Sequence, residues 1–227
     1  MTTTRPRQGR PRHTPPSDPN ASGREQILDA AGALFVEHGI AATSTRMIAE
    51  RVGIRQASLY YHFATKDEIL AELLATSVRP SLEMVERIQT LAPEQASAAA
   101  ALYAVAATDV RTLSRTPYNI GTLYLLPEVL AERFDAFRAD RGRLQHSYGV
   151  LGASAAAEGV TGSLAPERIG ELLIQLVEVV IQIRRSREPE ADDTDAIASS
   201  CLRLCGLDEQ TVAAARDEAR VLLSGLA

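Results

Sequence analysis

The sequence is poor in cysteine and lacks any long apolar run. Two cysteines among 227 residues are too few for a disulfide framework. The most hydrophobic segment, Leu172–Ile183, is short and is interrupted by Gln175, Glu178 and Gln182, so it cannot span a bilayer. The arginines near the N-terminus are not followed by the apolar stretch of a secretory signal. These absences predict a cytoplasmic location without membrane association.

Signatures of enzymes are missing as well. The chain has no glycine-rich phosphate loop, no GxSxG or HExxH motif, and its four histidines are far apart in sequence. Cys201 and Cys205 lie one helical turn apart, as a redox or metal switch would require, but no neighbouring cysteine or histidine completes a site. Buried packing is the favoured interpretation of this pair. We therefore expect no catalytic residue, no metal and no cofactor.

Charge is distributed unevenly along the chain. The net charge is −5, yet residues 1–66 carry +4 and residues 67–227 carry −9. Lys66 is the only lysine beside twenty-three arginines, which we interpret as compositional bias. A phosphate-binding surface requires local positive charge, whereas an acidic region is unsuited to lie along a polyanion. The basic N-terminal part is therefore the candidate for contact with nucleic acid.

Helical periodicity begins at Arg24. Gly39 stands where a helix C-terminus favours positive φ. The apolar residues before it recur at the spacing of one helix face and are Ile27, Leu28, Ala31, Leu34 and Phe35.

Two short helices are expected next, joined by a tight turn. Thr43 or Ser44 can cap the first of them, which ends at Gly53. The second runs from about Arg55 to His62. The residues that these two helices bury are Ile48, Val52, Leu59 and Phe63.

A fourth helix is expected to begin at Thr65 with a capping-box pattern and to kink or break at Pro80. Further helical segments are expected at 94–115, 128–158, 166–187, 192–205 and 208–225, and we find no convincing strand pair. The predicted fold class is all-α. We expect a flexible basic N-terminal arm at 1–23, a three-helix helix-turn-helix domain at 24–74 and an all-helical regulatory and dimerisation domain at 75–227.

The third helix has an inward side and a polar side at 100° per residue. Glutamine can bond to adenine, serine to a base or phosphate, and alanine can contact a thymine methyl group. Tyrosine and histidine suit phosphate or sugar. The polar side carries these residue types at Gln56, Ala57, Ser58, Tyr60, Tyr61 and His62. This pattern predicts a helix that enters the major groove of double-stranded DNA.

The two tyrosines have an alternative interpretation as packing residues. Because adjacent residues cannot both face one core, at least one of Tyr60 and Tyr61 should be exposed. Thr45 and Arg46 begin the preceding helix, where backbone N–H groups favour a phosphate. Arg46 could also reach a guanine.

Residues 24–74 resemble the DNA-binding domain of TetR-family transcriptional regulators. The resemblance rests on IxxAAxxLFxxxG from Ile27 to Gly39, TS…IAxxxG from Thr43 to Gly53, and SLYYHFxxK from Ser58 to Lys66. It implies the DNA contacts named above, together with a phosphate contact by Lys66. Ala57 departs from the Gly or Pro of several relatives, so no operator sequence can be transferred.

Beyond about residue 80 the resemblance weakens. It implies an all-helical regulatory domain that has a ligand cavity and a homodimer interface formed by the last long helices. The apolar residues available there are interpreted as core plus dimer seam. They are Ile169, Leu172, Leu173, Leu176, Val177, Val180, Ile181, Ile197, Leu202, Leu204, Leu207, Val212, Ala215, Ala219 and Leu222.

The arginines of the N-terminal arm resemble those of minor-groove hooks with a Gly-Arg-Pro core. Extended arginine-rich arms insert into narrow A·T minor grooves. A disordered solubilising tail is the alternative interpretation. The residues concerned are Arg5, Arg7, Arg10 and Arg12.

Effector-binding candidates are polar residues among the apolar helices of the C-terminal half, because ligand cavities combine an apolar wall with a few orienting groups. Each candidate also fits a surface or satisfied core position. Arg111 is the first choice for an acidic ligand, whereas a solvated face suits His146. The candidates are Tyr103, Arg111, Tyr118, Asn119, Tyr124, His146 and Tyr148.

These patterns together predict a ligand-responsive transcriptional regulator. The favoured form is a homodimeric repressor that leaves a palindromic DNA operator when a small-molecule effector binds and the fourth helix is displaced. A constitutive DNA-binding regulator or an activator without a small ligand is the alternative. An enzyme with an ancillary DNA-binding domain fits least well.

Overall fold

The computed structural model describes residues 21–226, without the side chains of residues 91–95 and 226. Within this range it contains helices and turns and no strand, which confirms the all-α fold class. The described residues divide into two compact units, the first ending at Glu72 and the second beginning at Leu73. The division falls inside the fourth helix.

Four helices contribute to the first unit. They are α1 (Gly23–His38), α2 (Thr45–Val52), α3 (Gln56–His62) and the first turns of α4 (Lys66–Gln95). Apolar side chains from all four meet in one small core. Its largest fully buried members are Phe35, Phe63, Ile27, Ile48, Leu59, Ile69 and Leu70.

The loop between α1 and α2 is closed by two neighbouring hydroxyl groups with different roles. Ser44 caps α2, because its Oγ accepts from the N–H of Met47 at 3.2 Å. Thr43 is buried instead, and its hydroxyl lies 3.1 Å from the carbonyl oxygen of Leu34 and 2.8 Å from that of Gly39. The sequence left both residues as possible caps, and the burial of Thr43 decides between them.

Helix α4 begins as expected but does not end as expected. Thr65 Oγ1 accepts from the N–H of Glu68 at 3.1 Å. The sequence predicted a kink or a break at Pro80, and the break is wrong, since α4 continues to Gln95. Pro80 lies on the exposed side of the helix, and so does Thr76, whose carbonyl loses its helical donor. Water can satisfy that carbonyl, so the proline is tolerated.

The second unit holds the rest of α4, six further helices and a turn region. After α5 (Ala98–Arg115) come three short 3-10 turns at Ile120–Leu123, Pro127–Leu130 and Glu132–Phe134. No helix of the described residues is long and apolar enough to cross a membrane. The remaining helices are α6 (Asp135–Ala155), α7 (Glu158–Thr161), α8 (Pro166–Ser186), α9 (Ala191–Leu204) and α10 (Glu209–Leu226).

Two predicted boundaries in this unit are wrong. The segment expected from 94 divides, because Ser97 caps a new helix by accepting from the N–H of Ala100. The segment expected from 128 is α-helical only from Asp135. Val129 and Phe134 are both buried, although side chains five residues apart on an α-helix would point in widely different directions. The chain forms 3-10 turns there instead, which lets both side chains reach the core.

Helix α5 is the centre of the second unit. Twelve of its eighteen residues are buried, and many of these are alanines that let α6, α8, α9 and α10 pack around it. Helices α6 and α8 approach so closely that a Cβ on Gly170 would lie 2.4 Å from the carbonyl oxygen of Gln145. Ile197, Leu202, Val212, Ala215, Ala219 and Leu222 are buried within this unit, so they belong to its core.

Candidate nucleic-acid interface

The face of α3 that the sequence singled out is exposed, because the opposite face is anchored. Leu59 is 0% and Phe63 2% exposed, so both point into the core of the first unit. Gly53 adopts left-handed φ of 77° at the end of α2 and allows the tight turn into α3. The anchor and the turn together fix which side of α3 faces outward.

Thr45, Gln56 and Tyr60 form a polar cluster across the two helices. Gln56 Nε2 donates to Thr45 Oγ1 at 3.0 Å and lies 3.4 Å from the hydroxyl of Tyr60. The hydroxyls of Thr45 and Tyr60 are 3.2 Å apart. All three contacts are solvent-exposed. The structure therefore brings together three residues that were predicted to contact DNA and holds them in a defined arrangement.

The remaining residues of this face differ in their exposure and in their contacts within the protein. Ala57, Ser58 and Tyr61 are exposed, Tyr61 by 88% of its surface. Arg46 is exposed too, but its Nε donates to Glu50 at 2.8 Å in an ion pair within α2. That pair is screened by water and must open before Arg46 reaches a base or phosphate.

His62 faces α1 rather than open solvent. Its ring packs against the start of α1, where a Cβ on Gly23 would lie 3.0 Å from Nε2. The ring also stands edge-on to Tyr61 at 5.5 Å. Of the predicted contacts on α3, His62 is the one that is half-buried.

Arg24 is a residue of this region that the sequence reasoning missed. Its Nη1 donates to the carbonyl of His62 at 3.0 Å, and its guanidinium lies 4.1 Å from the ring centre of Phe63. Nη2 lies 3.5 Å from Glu72. Arg24 thus holds the end of α3 in place. Nothing in the local sequence signals this role, since its partners are 38 to 48 residues away.

Lys66 has internal partners. Its Nζ donates to the carbonyl of Ile40 at 2.6 Å and to that of Thr43 at 2.8 Å. The ammonium group therefore ties the start of α4 to the loop between α1 and α2, and a phosphate contact can use only its third N–H. The four arginines of the arm, Arg5, Arg7, Arg10 and Arg12, lie outside the described residues.

The effector candidates of the second unit are not gathered in one place. Arg111 and His146 are exposed. Tyr103 is buried and its hydroxyl donates to Asp195 at 2.6 Å. Asn119 Nδ2 donates to the carbonyl of Ile181 at 2.8 Å. Tyr118 takes a left-handed φ of 54° in the turn beside it.

Two of the candidates, Tyr124 and His146, lie on cavities. Tyr124 lines a cleft of about 340 Å³, together with Glu178 of α8. Its hydroxyl donates to Ser77 Oγ at 2.8 Å, and burial raises the pKa of Tyr124 well above its usual value. His146 lines a separate groove of about 470 Å³ between α4 and α6.

Asp109 is a second group that the sequence reasoning missed. It is 4% exposed in the middle of α5, and its oxygens accept from Ser81 at 2.6 Å and from Tyr148 at 3.0 Å. Burial raises the pKa of Asp109 to about 6. An aspartate that follows an alanine-rich apolar stretch was the available signal, because most positions of such a helix are buried and aspartate is rarely fully buried.

Both cysteines are in the core of the second unit. Cys201 and Cys205 are 0% exposed, and burial raises the pKa of their thiols to about 12 and about 11. At neutral pH neither thiol ionises to the reactive thiolate.

Comparison with known proteins matches the first unit to a family. Residues 27–73 match the family model of bacterial regulatory proteins, tetR family. KstR2 of Mycobacterium tuberculosis, an HTH-type transcriptional repressor, is 49% identical over 53 residues. These cover 23% of this chain and 26% of KstR2, so the match spans about a quarter of that relative.

Solved structures extend the likeness to both units. The crystal structure of AmtR from Mycobacterium smegmatis is 40% identical, with a TM-score of 0.77, and the match covers 91% of this chain and 97% of AmtR. AibR, solved in complex with isovaleryl coenzyme A and operator DNA, is 17% identical over 78% of this chain and 96% of its own, with a TM-score of 0.60, which shows the fold alone. Because the likeness to AmtR spans nearly the whole of both chains, this chain belongs to the TetR family of bacterial regulatory proteins.

Proposed function

We propose that this protein is a ligand-responsive transcriptional regulator that represses its target until a small molecule binds the second unit. The observation that carries the proposal is the outward face of α3, where Gln56 and Tyr60 are held with Thr45 in one exposed polar cluster. An ordinary surface patch does not need ordered side chains. A face that has to match a rigid DNA groove benefits from them, because side chains that are already ordered lose less conformational entropy on binding.

The chemistry of each residue suggests its part. Gln56 offers an amide for adenine, Ser58 a hydroxyl for a base or phosphate, and Ala57 a methyl group for thymine. Tyr61, exposed and aromatic, suits the sugar-phosphate backbone, as does the hydroxyl of Tyr60. The arm arginines would add minor-groove contacts, and Lys66 would hold the loop between α1 and α2 while using its remaining N–H on a phosphate.

A homodimer would let two α3 helices read successive major grooves of a palindromic operator. The exposed apolar side chains that support a dimer are on α6 and α8. Val150 is 44%, Leu172 39% and Val179 43% exposed, beside the close crossing of the two helices at Gly149 and Gly170. Helices α9 and α10 contribute most of their apolar residues to the core instead.

Regulation by a small molecule is supported by the clefts and the buried polar groups of the second unit. The similarly folded AibR, with both isovaleryl coenzyme A and operator DNA bound, offers a precedent in this fold. A ligand can shift the protein between DNA-binding and free states only by binding them with different affinity, and coupling of about 1–3 kcal/mol is typical.

Selection of DNA fragments in vitro tests the DNA-binding and dimer parts together. We expect the purified protein to enrich a palindrome whose half-sites lie about 34–36 Å apart. Gln56→Ala should weaken binding to that site about tenfold, because a base contact is lost, and should relax the preference at one position of each half-site.

Gln210→Ala is the matched control, since Gln210 is an exposed glutamine at the start of α10. Its affinity for the selected site should equal that of the parent protein. Enrichment of a single unpaired half-site would contradict the dimer. An unchanged affinity of Gln56→Ala would contradict the assignment of the reading face.

A further inference from the structure

A cleft of about 340 Å³ opens between α8 and the turn region that follows α5. Tyr124 and Ile181 line it and are buried, so they give it an apolar wall. Leu125 also lines the cleft but is 73% exposed, which leaves a large apolar side chain at its mouth. Val179 borders the cleft as well and belongs to the exposed residues that support the homodimer, so the mouth lies at the edge of that face. The volume and the walls suit the body of a small organic molecule.

Two charged residues line this cleft, Glu178 and Arg185, and only the arginine is available to a guest. Both oxygens of Glu178 are already bonded, Oε1 to Arg141 in a largely buried ion pair and Oε2 to the amide of Gln175 at 3.3 Å. Arg185 is exposed and belongs to no ion pair of the described chain. Its contact there is a long one, 3.4 Å from Nη1 to Oε1 of Gln182. The cleft therefore carries one positive charge that no carboxylate of the described residues matches.

The polar end of the cleft is rich in hydrogen-bond donors. A guanidinium group presents its N–H groups as a fork that binds both oxygens of a carboxylate. Gln182 lies one helical turn before Arg185, and it also lines the cleft, so its amide N–H groups add donors beside the fork. Donors with a positive charge favour an anion over a cation or a neutral molecule.

The apolar wall of the cleft is connected directly to α4. The hydroxyl of Tyr124 donates to Ser77 Oγ at 2.8 Å, and Ser77 in turn donates to the carbonyl of Leu74 within α4. This helix begins in the first unit and continues into the second. A guest that displaces the ring of Tyr124 therefore changes a buried contact of α4.

We propose that the effector is a small carboxylate with an apolar body, bound in this cleft with its charged group on Arg185 and Gln182. The body of the effector lies against the ring of Tyr124 and against Leu125, and its contact with the ring acts on α4 through Ser77. This rests on the proposed function, since it names the ligand class of the same regulatory unit.

A series of paired probes tests the charge requirement. The probes are benzoate, phenylacetate, butanoate, hexanoate and octanoate, each compared with its own carboxamide, which has nearly the same shape and no charge. Calorimetric titration of the full chain at neutral pH should find a carboxylate that binds at least about tenfold more tightly than its amide, as an added charge-assisted hydrogen bond implies.

Two arginine variants locate the charged end of the site. Arg185→Gln should abolish the preference for the carboxylate over its amide. Arg111→Gln is the matched control, because Arg111 is also exposed but does not line this cleft, and it should keep the preference. The sequence made Arg111 the first choice for an acidic ligand, so the pair also decides between the two arginines.

Leu125→Ser tests the place of the apolar body. It should weaken binding of the carboxylate and of its amide by the same several-fold factor, because it removes apolar contact and leaves Arg185 in place. Unequal losses for the two compounds would contradict the separation of the cleft into a charged end and an apolar wall.

Tyr124→Phe tests the connection to α4. It keeps the ring in the cleft and removes the bond to Ser77, so carboxylate affinity should stay within about twofold of the parent value. The carboxylate concentration that releases the selected DNA should rise several-fold. Equal release from the parent and the variant overturns the route through Ser77.

The remaining outcomes separate this inference from the proposed function. Binding of no carboxylate in the series, equal binding of the amides, or a preference that survives in Arg185→Gln overturns the anionic site. Release of the selected DNA by a compound without negative charge overturns the ligand class while sustaining the regulator. Arg185-dependent binding that leaves the DNA complex intact overturns the assignment of the effector, although the site itself stands.

Discussion

The two units of this protein differ in where they place their characteristic polar groups. The first unit has them on its surface, and the second has one in its core. In the first unit the polar cluster of Thr45, Gln56 and Tyr60 lies in solvent, and the core beneath it is apolar. In the second unit the carboxyl group of Asp109 is buried, and the turns of α5 that precede it are rich in alanine. The polar groups of interest are therefore exposed in the first unit and buried in the second.

The proposed function accounts for this difference. A DNA duplex is large and rigid and can be read only from outside, so an anchored exposed helix suffices. A small molecule is bound by being surrounded, so its partners have to come from several helices. The first arrangement needs a few residues close together in sequence. In the second unit, by contrast, the buried carboxyl of Asp109 on α5 has its partners on α4 and α6, 28 and 39 residues away.

The close contact between α6 and α8 at Gly170 gives the largest expected effect of a substitution in the second unit. Gly170→Ala should lower the free energy of unfolding by about 3 kcal/mol, because the new Cβ meets backbone atoms of Gln145 and Gly149 that cannot move aside. Chemical denaturation measures it. Gly142→Ala is the matched helical control, since a Cβ there meets nothing within 4 Å, and it should stabilise slightly. Equal effects of the two variants would contradict the close α6–α8 contact.

The enclosed carboxyl predicts a dependence of stability on pH. The pKa of Asp109 is about 6 in the folded protein against 3.8 for the ordinary group, because burial disfavours the ionised form. The folded state therefore binds this proton more tightly than the unfolded state. The contribution of the Asp109 carboxyl to the free energy of unfolding is therefore largest below about pH 4. It is lost as the pH rises through 6, and the loss amounts to up to about 3 kcal/mol.

Denaturation of the parent and of Asp109→Asn between pH 4 and pH 8 measures that contribution. Replacing a titrating carboxyl with an amide should remove the decrease in stability over pH 4 to 6 that Asp109 causes. Asp195→Asn should retain it. Superimposable pH profiles of the parent and Asp109→Asn would show that burial does not perturb this group.

A smaller test addresses Lys66 in the first unit. Lys66→Met should lower the free energy of unfolding by about 2 kcal/mol, because the half-buried carbonyls of Ile40 and Thr43 lose their donor. Arg46→Met, which removes an exposed ion pair, should weaken DNA binding and leave stability nearly unchanged. A Lys66→Met protein that is fully stable but binds DNA weakly would assign Lys66 to phosphate alone.

The contrast between the units also explains what could be predicted from the sequence. The inward positions Leu59 and Phe63, the turn at Gly53 and the exposure of Tyr61 all follow from spacings within a few residues, and the structure confirms them. A helical wheel predicts these positions because the buried and the exposed residues lie on α3 or directly after it.

The errors come from contacts that local sequence does not contain. Pro80 was expected to kink or break α4, and the helix does not break there because the exposed position of the proline makes the lost hydrogen bond tolerable. Arg24 and Lys66 act on residues more than 20 positions away, and Asp109 acquires its partners only when three helices meet. Periodicity identifies which face of a helix is buried, but it does not identify the groups buried against it.

Lys66 also gives the chain a single side-chain amine. That amine is engaged by two carbonyl oxygens at the junction between α4 and the α1–α2 loop. Acylating reagents attack a neutral amine that has been released from such bonds. The rate at which Lys66 is acylated therefore reports how often this junction opens, without any introduced label, and DNA-bound and free protein can be compared by the mass of one peptide.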